Sequence, residues 1–169
     1  MNVVLETNRL LLRELHPEDA ESFYILNLNP NVIKYTGNTA FKNIEEARIF
    51  LENYQDYKRN GYGRWAVIKK ETNKFIGWCG LKFDEIKKET DIGFRFFEEE
   101  WHKGYATERA MACVEHGFEK LHLKRIIGRA MKENMASIKV LEKIGLEYVE
   151  DTDFDGKEAV LYKIEQKRL

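Results

Sequence analysis

Between a strand-like run that ends at Phe97 and a long amphipathic helical pattern stands the segment Trp101-His102-Lys103-Gly104-Tyr105-Ala106-Thr107-Glu108. Such a turn can bind an anion, because the first amides of a helix have no intrahelical partner and lie at its positive dipole end. Gly104 and the small Ala106 let a phosphate approach the backbone; Lys103 and the Thr107 hydroxyl can add contacts, and His102 and Tyr105 flank the glycine. A plain loop and helix start account for one glycine turn equally well, so the rest of the chain has to decide.

Two further segments invite chemistry. Asn134-Met135-Ala136-Ser137 opens a short helix, where Asn134 can cap the backbone and Ser137 offers a hydroxyl. Asp151-Thr152-Asp153-Phe154-Asp155-Gly156 reproduces the first half of a calcium-binding loop. The twelfth position of that loop is Tyr162 where a bidentate Glu is required, and the flanks alternate like strands, so an acidic hairpin without metal is expected.

The elements that must carry these residues follow from periodicity. Leu10, Leu12 and Leu15 alternate with Leu11 and Arg13 as a strand that stops at His16-Pro17-Glu18-Asp19, where proline and acids suit a helix start. A second helix is expected after Asn43, with Asn43 and Glu46 at capping-box spacing and Gly61 at its end. Arg64 to Lys70, Phe75 to Phe83 and Thr90 to Phe97 form an antiparallel meander with short polar turns. A helix with Ala106, Ala110, Val114, Phe118 and Leu121 on one stripe comes next, then a strand (Arg125 to Met131), a helix (Met135 to Ile144, closed by Gly145) and two strands, Leu146 to Glu150 and Lys157 to Lys167. The order predicts one α+β domain over residues 1–169, with a mixed sheet of seven strands and about four helices, and excludes regular βαβ winding.

Composition narrows the ligand. The 28 basic and 29 acidic residues leave a formal net charge of -1, which supplies no field to hold nucleic acid or an anionic membrane. Cys79 and Cys113 lack the spacing of a zinc site or a disulfide framework and are expected as buried free thiols in a reducing compartment. The opening residues carry Glu6 and Arg9 within a short apolar run, so neither export nor anchoring is expected, and the location expected is the cytoplasm.

Taken together these segments resemble the GNAT superfamily of N-acetyltransferases. Gly104 and Ala106 match its pyrophosphate loop, Gln/Arg-x-x-Gly-x-Gly/Ala, although Trp101 replaces the Gln or Arg. The run Trp-x-Lys-Gly-Tyr-Ala-Thr-Glu, the Asn134 to Ser137 helix start, Val140 to Leu146, the opening Thr7-Asn8-Arg9-Leu10-Leu11-Leu12-Arg13, Ile76 to Leu81 and Asp91-Ile92-Gly93-Phe94 look like its RimJ/RimL-like branch of ribosomal-protein N-terminal acetyltransferases. The resemblance implies a sheet splayed between its fourth and fifth strands, and acetyl transfer from acetyl-CoA to a primary amine by direct attack in a ternary complex.

It also implies residue roles. The backbone of Phe94, Arg95 and Phe96 would pair with pantetheine, with an N–H near Phe94 aimed at the acetyl oxygen. The tyrosine many members use to protonate the thiolate is replaced by Leu141; Ser137, where the branch has a residue near the sulfur, is the candidate to stabilise it, and Asn134 to hold pantetheine. Asp91, on the strand leading to the acetyl site, is the candidate base, with an ordinary surface acid as the competing reading and water as an alternative proton acceptor. The acceptor, a protein N-terminus or a small amine, would lie near Tyr35 to Phe41 and the last hairpin, where Asp151, Asp153 and Asp155 would attract a cation. The chain is expected as a monomer or homodimer, without metal. The alternatives are an acyl-CoA-binding sensor without chemistry and an unrelated nucleotide binder.

Overall fold

The computed structural model describes residues 2–167; Met1 and residues 168–169 of the expected domain lie outside that range. Its strands are β1 (Val3–Glu6), β2 (Leu10–Glu14), β3 (Arg64–Lys69), β4 (Lys74–Asp84), β5 (Glu89–Phe96), β6 (Arg125–Met131), β7 (Glu147–Phe154) and β8 (Lys157–Glu165). They form one sheet in the order β1-β2-β3-β4-β5-β6-β8-β7. Every neighbouring pair is antiparallel except β5 and β6, which run parallel and register at the single pair Asp91↔Ile127. Beyond that pair the two strands part, and β5 from Ile92 to Phe96 pairs only with β4. The expected splay is present.

Eight strands form where seven were expected. The extra one, β1, is too short to show a period, and it lies against β2 through Leu5↔Leu12 and Glu6↔Leu11. The helices also exceed the expected four: α1 (Ala20–Leu26), α2 (Pro30–Ile33), α3 (Ile44–Glu52), α4 (Asp56–Asn60), α5 (Tyr105–Glu119) and α6 (Met135–Lys143). The helix expected from Asn43 to Gly61 breaks at Asn53, so α3 and α4 are separate and Gly61, left-handed at φ +80°, ends α4. Asn43 Oδ1 accepts the Glu46 amide at 2.8 Å, while Glu46 reaches the Lys42 amide instead of closing a capping box on Asn43.

Both faces of the sheet are covered, which is why its strands alternate between two apolar sets. Leu10, Leu12, Trp65, Val67, Cys79, Leu81 and Ile92 face α5 and α6 in the larger core; Ala66 and Ile68 face α1 and α3 in the smaller one. Cys79 and Cys113 are both buried and free, with sulfurs 3.7 Å apart. Arg109, on the buried stripe of α5, is fully enclosed and donates from Nη1 to Thr7 Oγ1 (2.8 Å) and the Leu10 carbonyl (2.9 Å). Asp19 does more than start a helix: it grips Arg13 with both oxygens at 2.7 and 2.8 Å and accepts the His16 amide at 2.8 Å. Among the described residues no helix is long and apolar enough to cross a membrane.

Candidate active site

A cavity of about 650 Å³ opens where β5 leaves β6. Its walls are the turn before α5, the end of β5, the start of α6 and the stretch from α2 to Thr36. The turn is built for close approach. His102 and Gly104 both take left-handed backbone, φ +60° and +80°, the second at the N-cap of α5, where no side chain caps the helix. The backbone amides from His102 to Thr107 have no partner among the described residues. Six consecutive unpartnered donors at a helix N-terminus, five of them on residues that line the cavity, form an anion cradle.

The N-terminal strand pair holds that turn from behind. Arg9 donates from Nη1 to the Lys103 carbonyl (2.9 Å), pairs with Glu108 through Nε and Nη2 (2.8 and 2.7 Å), and lies over the Tyr105 ring at 4.5 Å. Thr7 Oγ1 also donates to Glu108. Burial alone would raise the Glu108 carboxyl, but the Thr7 and Arg9 hydrogen bonds outweigh it and hold the group below the usual carboxylate range. The sequence singles out the Thr7 to Arg13 run only by resemblance; its physical work is to fix the cradle. Trp101, in place of the polar residue of the motif, donates its indole N–H to the Phe96 carbonyl at 3.0 Å and so ties the turn to β5.

On the opposite wall, Asn134 Oδ1 accepts the Ser137 amide (3.2 Å) while Asn134 Nδ2 donates to Ser137 Oγ (3.0 Å). Because the hydroxyl oxygen already accepts, its own proton is left free to donate into the cavity that Ser137 lines. Of the sequence candidates, Phe94, Arg95, Phe96, His102, Gly104, Tyr105, Ala106, Thr107, Asn134 and Ser137 all meet at this cavity. Two do not. The Lys103 ammonium turns to Glu100 at 3.0 Å, and only the Lys103 carbonyl serves the turn. Asp91 is not a wall residue: it is ion-paired with Arg64 at 2.6 Å on the sheet face toward α1 and α3, so its role here is to fix Arg64. Leu141 is core, packed over Gly128, and the neighbouring wall residue is Val140, so this turn of α6 presents no acid to the cavity.

Lys34, Lys139 and Lys143 also line the cavity and were missed. Lys143 stands seven residues after Ala136 and three after Val140, so a helical wheel that places Ala136 and Val140 on the wall carries Lys143 beside them. No group of acids, histidines or cysteines that could hold a metal occurs among the described residues, and Asp151 to Phe154 are strand, with Asp155-Gly156 as a two-residue turn. Asp151 is engaged by Lys132 (2.8 Å) and Tyr148 (2.8 Å).

The chain is similar to known proteins in sequence and in fold. The acetyltransferase (GNAT) domain model matches residues 9–147. The uncharacterized N-acetyltransferase p20 of Bacillus licheniformis is 33% identical over 145 residues, covering 85% of this chain and 82% of that relative. A GNAT-family acetyltransferase from Bacillus anthracis superposes with a TM-score of 0.81 at 27% identity, over 95% of this chain and 97% of that one. Spermidine N-acetyltransferase from Vibrio cholerae, solved with CoA and spermine, shares the fold at a TM-score of 0.78 and 21% identity, over 95% and 97% of the two chains. With an uncapped amide cradle beside a split sheet, and a family model spanning most of its length, this chain belongs to the GNAT acetyltransferase family.

Proposed function

We propose that the protein transfers an acetyl group from acetyl-CoA to a primary amine by direct attack. The observation that carries this reading is the run of unpartnered amides from His102 to Thr107, in a turn that lines a cavity which also receives the open edge of β5 and Ser137. The amides hold the diphosphate, and Lys34, Lys139 and Lys143 supply positive charge from the other walls of the same cavity. Phe94 to Phe96 offer backbone for pantetheine, and an N–H near Phe94 stabilises the developing oxyanion.

The amine nitrogen bonds to the thioester carbon, the C–S bond breaks, and the electron pair leaves on sulfur. Ser137 donates a hydrogen bond to that thiolate, positioned by Asn134. The ammonium loses its proton to water, since Glu100, the carboxylate on the wall, is paired with Lys103. The acceptor enters over the loop that follows α2, which lines the cavity through Tyr35 and Thr36 and is backed by the β7–β8 hairpin where Gly37 packs on Phe154. By its motifs the protein sits in the RimJ/RimL-like branch, which favours a protein N-terminus as acceptor, and two free buried thiols suit a cytoplasmic protein.

The test is release of CoA thiol with a panel of amines and N-terminal peptides, with acetyl-CoA binding measured by calorimetry. Binding with turnover supports transfer. A second reading, an acyl-CoA-binding protein without chemistry, draws on the apolar Val140 and Leu141 and on Asp91 being committed to Arg64; binding without turnover of any amine would select it.

A further inference from the structure

Arg95 is a cation without a counter-ion. It projects from β5 on the face of Asp91 and Gly93, toward the end of α1 and the loop after α2, and it lines the cavity. Two neutral amides hold it: Asn27 Oδ1 accepts from Nη1 at 2.5 Å and Asn38 Oδ1 from Nη2 at 3.0 Å. Asn27 is itself buried and fixed through its own donor to the Phe23 carbonyl at 2.7 Å. The Arg95 Nε is buried with no partner. No carboxylate among the described residues pairs with this guanidinium, although 11 lysine or arginine ion pairs occur elsewhere.

The nearest charge makes matters worse. Arg64 shares the Trp78 ring with Arg95, their guanidinium carbons lying 5.3 and 5.2 Å from its centre, and Arg64 lies flat against Gly93, where a Cβ would come within 2.7 Å of its Cζ. Asp91 answers Arg64 and leaves Arg95 unanswered. Burial and the Arg64 charge push the Arg95 guanidinium down to about 10, so it stays charged at neutral pH. Two of its five donors are used by Asn27 and Asn38, and a half-buried guanidinium held by neutral amides keeps fork geometry for a carboxylate.

Resting on the transferase reading above, we propose that Arg95 is a specificity-determining residue and that the acceptor is an amine that also carries a carboxylate, which the Arg95 guanidinium binds on the acceptor side of the cavity. Asn38 belongs to the loop that borders that side, so the site is completed by the same loop that admits the amine. A free amino acid or a peptide with an acidic residue near its N-terminus would present the required pair of groups.

Matched acceptors test this. Glycine, 4-aminobutyrate and 6-aminohexanoate are compared with their primary amides, and Ala-Glu with Ala-Gln peptides amidated at the C-terminus, by CoA thiol release. At least one carboxylate is expected to exceed its amide in kcat/KM by roughly 10- to 150-fold, the worth of one charge-assisted hydrogen bond. The pair that shows it tells a free amino acid from a peptide. Arg95→Gln is expected to bring that ratio to near one, and Arg95→Lys to keep part of it; a role confined to holding Asn27 and Asn38 would lower both acceptors together and leave the ratio unchanged. The preference of the wild-type protein needs no folded variant. Turnover of amides and carboxylates alike by the wild type overturns this inference and leaves the transferase reading standing, as does a loss of CoA affinity in Arg95→Gln with no change of ratio. Failure of all acceptors overturns both.

Discussion

Gly104→Ala separates the fold's demand on the cradle from the ligand's. Gly104 sits at φ +80°, a region where an L-residue with a Cβ costs about 1–2 kcal/mol. The new methyl meets only Arg9 Nη2, at 3.5 Å, an ordinary contact, so the protein itself adds no steric term. At roughly 2–4 °C per kcal/mol for a chain of this size, the melting temperature should fall by about 2–8 °C. The ligand loses more. An alanine that relaxes toward negative φ re-aims the amides at 104 and 105, and losing one hydrogen bond to a charged group costs about 1.5–3 kcal/mol, which weakens CoA binding by roughly 10- to 150-fold. Scanning calorimetry reads the first quantity and titration calorimetry the second, with pantetheine, which lacks the diphosphate, as the control that should hardly respond. A melting point lowered as expected beside a CoA affinity within about twofold of wild type would refute the cradle.

The remaining expectations concern the opposite wall, the first helix and the hairpin. Ser137→Ala should lower kcat by roughly 10- to 150-fold, since it removes one hydrogen bond to a thiolate, with acetyl-CoA affinity little changed; steady-state kinetics beside calorimetry check it. Asp19→Ala strands Arg13, whose guanidinium is held above its usual range chiefly by the Asp19 hydrogen bond, and should cost about 3–5 kcal/mol, a fall in melting temperature of roughly 6–20 °C by thermal denaturation. Calcium at millimolar concentration should leave the melting temperature unchanged, because Asp151 to Phe154 pair as strand and Asp151 already binds Lys132 and Tyr148.

How much of this was legible depends on the range of the interaction. The meander, β6 and α6 are readable because each buries an alternating or helical stripe that the chain repeats locally, and Asn134 and Gly104 mark helix starts by chemistry confined to one turn. β1 is four residues long with only intermediate burial at its centre, so no periodicity can announce it. The break between α3 and α4 follows from Tyr54 and Tyr57, whose hydroxyls bond the Arg64 backbone across a turn, a tertiary demand that local helix propensity cannot express. Arg109 looks like a surface charge until the partners 99 and 102 positions away, Leu10 and Thr7, are seen to receive it.

The site divides in the same way. The cradle and Ser137 were legible as motifs, while Asp91 was not, because strand position alone does not tell which sheet face meets the cavity or that Arg64 stands 27 residues upstream to claim it. The isolation of Arg95 is likewise a property of assembly: nothing in the neighbouring residues says that Asn27 and Asn38, and no acid, converge on it.

The central claim is that the turn before α5 grips the diphosphate of the acyl donor. Amide chemical shifts of the nitrogen-15-labelled protein, recorded while CoA or pantetheine is added, test it most directly. His102 to Thr107 should move with CoA and stay in place with pantetheine; CoA that binds while those six amides remain still, or pantetheine that moves them equally, would contradict the account.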